Sequence, residues 1–302
     1  MRLLWLLLAW LAFGDAFERS KCGPQIEDEN SSSSSSSSKR SVGYLRIDRN
    51  VTRTAATTTA LAKRMKQPEG TSLPALYDFY GKELPYISNT IVTRDKTKKD
   101  PTWLSAALML EYDRTRRREF STGIEGLKGC TALYIISRKA VYGAHYWESV
   151  SFAPEKIWLN GDPKLKKQEL FELTVTDMLK NGGKLHAPLV ADKIEDDHIK
   201  AYLIRPSKVF RQFKNPQASD YTKQWNQIKA TVGELVPTLA DPDRWYDVKY
   251  YPAANNKELD KVGSVRGKSL FKFDKADETE GGHTQKKAML WFEDRLVHGD
   301  AW

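Results

Sequence analysis

Gly129-Cys130-Thr131-Ala132-Leu133-Tyr134-Ile135-Ile136-Ser137-Arg138-Lys139-Ala140-Val141-Tyr142-Gly143-Ala144-His145-Tyr146 is the stretch on which the fold turns. Two runs rich in β-branched and aromatic residues, Thr131 to Ser137 and Val141 to Ser149, flank a short polar break. Such runs suit the pleated, half-buried surface of a strand, so two strands in succession are expected. A hairpin with a two-residue loop at Arg138-Lys139, or a four-residue loop over Ser137 to Ala140, sets Ala132 opposite His145 and Cys130 opposite Trp147. Side chains alternate faces along a strand. Cys130 and His145 then leave the same face as diagonal neighbours, roughly 7 Å apart at the backbone. A three-residue loop would reverse that parity.

Working outward, Pro74 to Glu119 reads as short helices, the clearest from Pro101 to about Tyr112 with Leu104, Leu108 and Tyr112 on one face. Asp162-Pro163 supplies the N-cap and first-turn residues of a helix that Asn181-Gly182-Gly183 ends. A strand is expected at Lys200 to Arg205, an amphipathic helix at Tyr221 to Leu235, and a strand at Trp245 to Tyr251. Lys268 to Asp274 and Lys287 to Glu293 read as two more strands around a polar loop holding Gly281-Gly282. The fold class expected is α+β, a mixed and largely antiparallel, sandwich-like sheet with helices packed on it.

The first 43 residues have a different character. Met1-Arg2, the apolar run Leu3 to Phe13 and the small residues of Gly14-Asp15-Ala16 form the three parts of a secretory signal, assigned to 1–16. The apolar run is shorter than the roughly 20 residues a bilayer-spanning helix needs, so no stable membrane anchor is expected. Residues 17–43 contain eight consecutive serines, Ser31 to Ser38, and read as a disordered propeptide or linker. Lys39-Arg40 is a dibasic processing candidate, and Asn30 and Asn50 head N-glycosylation triplets. Residues 44–302 are expected to form one domain, with a candidate catalytic core over 120–302.

A net charge of +9 favours anionic surfaces, but the basic residues are dispersed apart from Arg114 to Arg118 and Lys96 to Lys99. No nucleic-acid motif accompanies them, so nucleic acid is not an expected partner and attraction to an anionic cell surface is the milder inference. The histidines His186, His198, His283 and His298 show no metal-ligand spacing, and neither metal nor cofactor is expected.

The chain has two cysteines. Cys22 lies in the segment that dibasic cleavage would remove, which would leave Cys130 alone. If that segment stays in an oxidising compartment, a Cys22–Cys130 bridge is the competing expectation. It would close a loop of about 100 residues, contributing ~4–5 kcal/mol in the chain-entropy model. A free Cys130 beside His145 has a different chemistry. The imidazole takes the thiol proton, the thiolate attacks an amide carbon, and the imidazolium protonates the leaving nitrogen. Gly129 leaves the backbone accessible beside the nucleophile, and the N–H groups around Gly129, Cys130 and Thr131 are candidates to hold the oxyanion. Glu148, an odd number of residues from His145, is expected on the opposite strand face.

Gly129-Cys130-Thr131, an apolar strand and a histidine fifteen residues after the cysteine resemble the catalytic core of the cytotoxic necrotizing factor and dermonecrotic toxin glutamine deamidases. The text from Gly129 to Glu148 is also similar to a class of secreted fungal proteins. The resemblance implies Cys130 as nucleophile, His145 as its base, and a glutamine-bearing protein as substrate. In the toxin pattern a serine precedes the glycine, where this chain has Lys128. The group orienting the histidine there is a backbone carbonyl, which leaves no side-chain signature. The expected function is a secreted, extracellular cysteine-dependent amidohydrolase that deamidates or transamidates glutamine side chains. The alternative is a non-enzymatic secreted effector or adhesion protein of the same fold, with Cys130 structural.

Overall fold

A computed structural model of the chain describes residues 64–84, 100–115, 117–160, 166–207, 220–279 and 281–302, and the backbone of 46–47 and 87–88. The expected signal, the serine-rich segment with Cys22, Asn30, Lys39 and Arg40, and also Asn50 and Asp162-Pro163, lie outside the described residues.

Short strands β1 (Arg46–Ile47) and β2 (Ile87–Ser88) pair antiparallel. The other strands are β3 (Ala106–Glu111), β4 (Glu119–Ile124), β5 (Thr131–Ile136), β6 (Ala140–Tyr146), β7 (Lys200–Pro206), β8 (Trp245–Tyr250), β9 (Ser269–Glu278), β10 (Thr284–Phe292) and β11 (Arg295–Ala301). They form a five-stranded sheet in the order β3-β6-β5-β7-β8 and a four-stranded sheet in the order β11-β10-β9-β4. Among the described strands, the pairings are antiparallel except that of β7 with β8. The fold is α+β with two open, mostly antiparallel sheets.

Alternation along the strands builds the layers. Ala132, Tyr134, Ile136, Val141, Tyr202, Ile204 and Val248 of the first sheet pack with Phe271, Phe273, Ala288, Leu290 and Phe292 of the second. The intervening residues Leu133, Ile135, Tyr142, Ala144 and Leu203 face the opposite way, against Phe171, Val175, Leu179, Trp225, Ile228 and Val232 of the helices. On the far side of the second sheet, Leu270, Met289 and Trp291 meet Leu76, Phe79 and Tyr80 of the helix Leu73–Glu83. Burial on both faces explains why β5 and β6 read as continuous apolar runs.

The hairpin has the two-residue loop Arg138-Lys139. Ala132 pairs with His145 and Thr131 with Tyr146, and the Ser137 N–H donates to the Ala140 carbonyl at 3.0 Å. Neither loop residue is a strong turn former, so side chains hold the turn. Ser137 Oγ accepts from the N–H groups of Lys139 and Ala140 at 3.0 and 3.1 Å. Asp196 Oδ2 accepts from the Arg138 N–H at 2.8 Å, and the Arg138 guanidinium meets both oxygens of Asp300 at 2.9 and 3.0 Å.

One expected helix is a strand. Pro101–Trp103 forms only a 3₁₀ turn, and Ala106–Glu111 runs as β3 along β6 from Ala140 to His145. Ala-Ala-Leu-Met-Leu has no polar punctuation to mark its period, and the edge of β6 offers pairing for its backbone. The outer edge of β3 is covered in turn: the Ala107 N–H donates to the Leu185 carbonyl and the Ala187 N–H to the Ala107 carbonyl. The helix ending at Asn181 is described from Lys167 and runs through a π segment at Glu172–Thr176. Gly182 ends it with φ of 71°, where a β-carbon would meet Pro188 and the His186 carbonyl. The helix Thr222–Leu235 lies where its periodicity placed it, with Trp225, Ile228 and Val232 buried.

Candidate functional site

Cys130 ends the loop that enters β5, and that loop is clamped. The Leu127 N–H donates to the Gly267 carbonyl at 3.0 Å, and the Tyr250 hydroxyl of β8 donates to the Cys130 carbonyl at 2.7 Å. Cys130 itself is wholly buried in the layer between the sheets. It is disulfide-bonded, and the chain's other cysteine, Cys22, lies outside the described residues.

His145 leaves β6 on the same face of the sheet as Cys130, by the parity of the observed register. It is 4 % exposed and its ring packs at 5.4 Å from that of Trp147. Neither ring nitrogen has a hydrogen-bond partner, so no hydrogen bond joins the imidazole to the sulfur. Burial pushes the His145 imidazole down to about 3, which keeps the ring neutral at physiological pH.

Glu148 departs from its expected place. β6 ends at Tyr146 and a π turn spans Glu148–Phe152, so strand parity no longer governs residue 148. Its N–H donates to Cys130 Sγ at 3.4 Å, and its Oε1 accepts from the Tyr221 hydroxyl at 2.6 Å. Its carboxylate fills the space beside Gly129 that the sequence suggested was open: a β-carbon at 129 would lie 2.8 Å from Glu148 Cδ. The Glu148 carboxylate makes no hydrogen bond to the His145 ring, whose nitrogens are unpartnered. Thr131 Oγ1 accepts from Trp225 Nε1 at 3.0 Å, which turns that side chain toward the helices.

Sequence reading did not bring Glu148, Tyr221 and Tyr250 to Cys130. Tyr250 had a signal, the alternation of β8 that buries Val248 and Tyr250. Tyr221, just ahead of a helix, had none that points to residue 148.

Glu195 and Asp196 of the acidic run Glu195-Asp196-Asp197, and two arginines of the basic run, make contacts within the fold. Glu195 accepts from the Thr238 N–H, and Asp196 from the Arg138 and His198 N–H groups. Arg114 pairs with Glu111 and Arg118 with the buried Asp274, so these two of the basic run are engaged within the fold. Among the described residues, no group of three or more His, Cys, Asp or Glu side chains is arranged around a common point as metal ligands would be.

No protein-family model matches the chain, and no curated protein matches it. Among solved structures it is similar to the C-terminal domain of CNFy from Yersinia pseudotuberculosis, with 10% identity and a TM-score of 0.26. The likeness covers 65% of this chain and 57% of that one. So distant a likeness carries no argument about activity.

Proposed function

We propose that this chain is a secreted cysteine-dependent amidohydrolase that acts on glutamine side chains of a target protein, with Cys130 as nucleophile and His145 as its base. The observation that carries the reading is the register of the hairpin. By its parity Cys130, one residue ahead of β5, lies on the same face as His145 of β6, and the imidazole is buried with two unpartnered nitrogens. Buried polar atoms without partners cost about 1–3 kcal/mol. A thiol within reach of that ring would relieve part of the cost.

The chemistry begins with reduction of the Cys130 disulfide by thiol–disulfide exchange, in which two low-molecular-weight thiols are oxidised to their own disulfide. Since Cys130 and His145 are buried, a glutamine side chain reaches them only when the residues packed around them move apart. The imidazole then takes the thiol proton, and the thiolate forms a C–S bond to the carboxamide carbon. The C–N bond breaks as the imidazolium gives its proton to the leaving nitrogen, releasing ammonia. Water, deprotonated by the same imidazole, hydrolyses the thioester to glutamate and restores the thiol; a primary amine in its place gives transamidation. A thiolate beside the ring would raise the low basicity that burial imposes on His145.

The test is ammonia release from a glutamine-containing protein incubated with the reduced chain. Wild type should be active and Cys130→Ala and His145→Asn inactive while folded; equal rates for wild type and Cys130→Ala sink the reading.

A second reading has its own support. A wholly buried, disulfide-bonded Cys130 suits a non-enzymatic secreted effector or adhesion protein in which the cysteine is structural. Labelling of the native protein separates the two. A chain that remains without a thiol under mild reduction favours the structural role; selective alkylation of Cys130 favours the nucleophile.

A further inference from the structure

Glu148 touches the Gly129-Cys130 pair through both its backbone and its side chain, and the dyad chemistry uses neither contact. The amide N–H points at Cys130 Sγ. The carboxylate lies against the α-carbon of Gly129, beside the peptide bond that leads into Cys130. Tyr221 donates into Oε1, which fixes the side chain from the helical layer. The backbone N–H and the carboxylate are thus each held by a contact of their own. Glu148 is 1 % exposed, so its charge reaches the sulfur through protein and is weakly screened.

We propose that Glu148 is the positioning residue of Cys130: it holds the sulfur at its own amide N–H and, through its carboxylate, sets the electrostatic load against which the thiolate forms. This rests on reading Cys130 as the nucleophile. The two contacts act in opposite directions, since the N–H favours a thiolate and a neighbouring carboxylate disfavours it. The carboxylate thereby keeps the thiol protonated until a base takes its proton.

Other titratable groups converge on the pair from each neighbouring element. Lys128 comes from the entering loop, with its ammonium pushed down by burial and pulled back up by Glu148 and Glu258. His145 comes from β6, Tyr221 from the start of the long helix and Tyr250 from β8. The Tyr250 hydroxyl is pushed well above its ordinary value by burial first, then by Glu148, Glu293 and Tyr221.

The experiment follows alkylation of Cys130 by iodoacetamide across a pH series, in the full-length chain reduced with a trialkylphosphine. The Cys130 peptide is read by mass spectrometry. Glu148→Gln keeps the amide N–H, the shape and an acceptor for Tyr221, and removes only the charge. Its midpoint should fall by about one pH unit, or roughly tenfold faster alkylation near neutrality. A midpoint that stays or rises overturns the proposal. Tyr221→Phe releases Oε1 but keeps the charge, so its midpoint should fall less than that of Glu148→Gln; a fall equal to or larger than that of Glu148→Gln also overturns it. Far-UV circular dichroism establishes that both variants are folded. His145→Asn, measured alongside, should raise the midpoint if the imidazole supports the thiolate. A His145→Asn midpoint equal to wild type defeats the dyad alone, leaving the Glu148 result standing.

Discussion

Glu148 occupies the volume that a side chain at Gly129 would need. The glycine before the cysteine therefore makes room for a buried carboxylate, and backbone freedom is not the reason for it: its φ is not among the positive ones. Gly129→Ala should destabilise the fold by about 1–3 kcal/mol, the usual cost of overpacking a filled interior. Urea denaturation would measure it. Gly129→Ala combined with Glu148→Ala should cost less than the sum of the two single changes, because the clash disappears with the carboxylate. Strict additivity would mean that the two residues do not compete for the same space.

The hydroxyl of Tyr250 joins β8 to the entry of β5 by donating to the Cys130 carbonyl at 2.7 Å. Tyr250→Phe leaves that buried carbonyl short of its donor and should cost about 1–3 kcal/mol. Tyr246, on the same strand but 42 % exposed, serves as the control, and Tyr246→Phe should change stability by less than about 0.5 kcal/mol. Equal losses at the two positions would argue against a special role for the Tyr250 contact.

Ser137 holds the hairpin turn through two backbone N–H groups. Ser137→Ala should cost about 1–2 kcal/mol, on the order of one to two net hydrogen bonds. Directly paired residues share a face, so one residue inserted between Arg138 and Lys139 should be taken up in the loop, keeping Ala132 opposite His145 and His145 on the face of Cys130. Ammonia release should then persist in a chain that still folds. Its loss without unfolding would mean that β6 has slipped by one residue against β5.

Strand parity is a local property, which is why the pairing of Ala132 with His145 was legible in the residues between Cys130 and Tyr146. The helix Thr222–Leu235 was legible for the same reason, since one buried face repeats along it. What escaped was set by contacts distant in sequence. Ala106–Glu111 is a strand because β6 and the Leu185–Ala187 segment pair with both its edges. Glu148 joins Cys130 because β6 ends two residues earlier and Tyr221, 73 positions away, receives its carboxylate. A π turn has no sequence period from which a side chain's direction can be read.

Three buried histidines give the fold an acid sensitivity whose sign follows from their environments. Burial pushes His145 down to about 3, and His186 and His298 each down to about 4. In the unfolded chain each returns to about 6.5. As pH falls below about 6.5 the unfolded state binds protons that the folded state refuses, so stability is lost on acidification, fully present only above that value. Each histidine contributes a slope of at most about 1.4 kcal/mol per pH unit, and the three together about 4. Asp247, Asp277 and Asp300, whose carboxyls lie below their usual values through Arg205, Lys229, Lys287, Arg138 and other hydrogen-bonding partners, add a loss of the same sign at lower pH. Glu293, raised by burial, opposes it. Thermal melting should therefore show Tm falling steadily between about pH 7 and pH 5, and His145→Asn should flatten that slope by about one third. A Tm constant over the interval would mean that the histidines take up protons while the protein remains folded, which requires the layers around His145, His186 and His298 to open in acid.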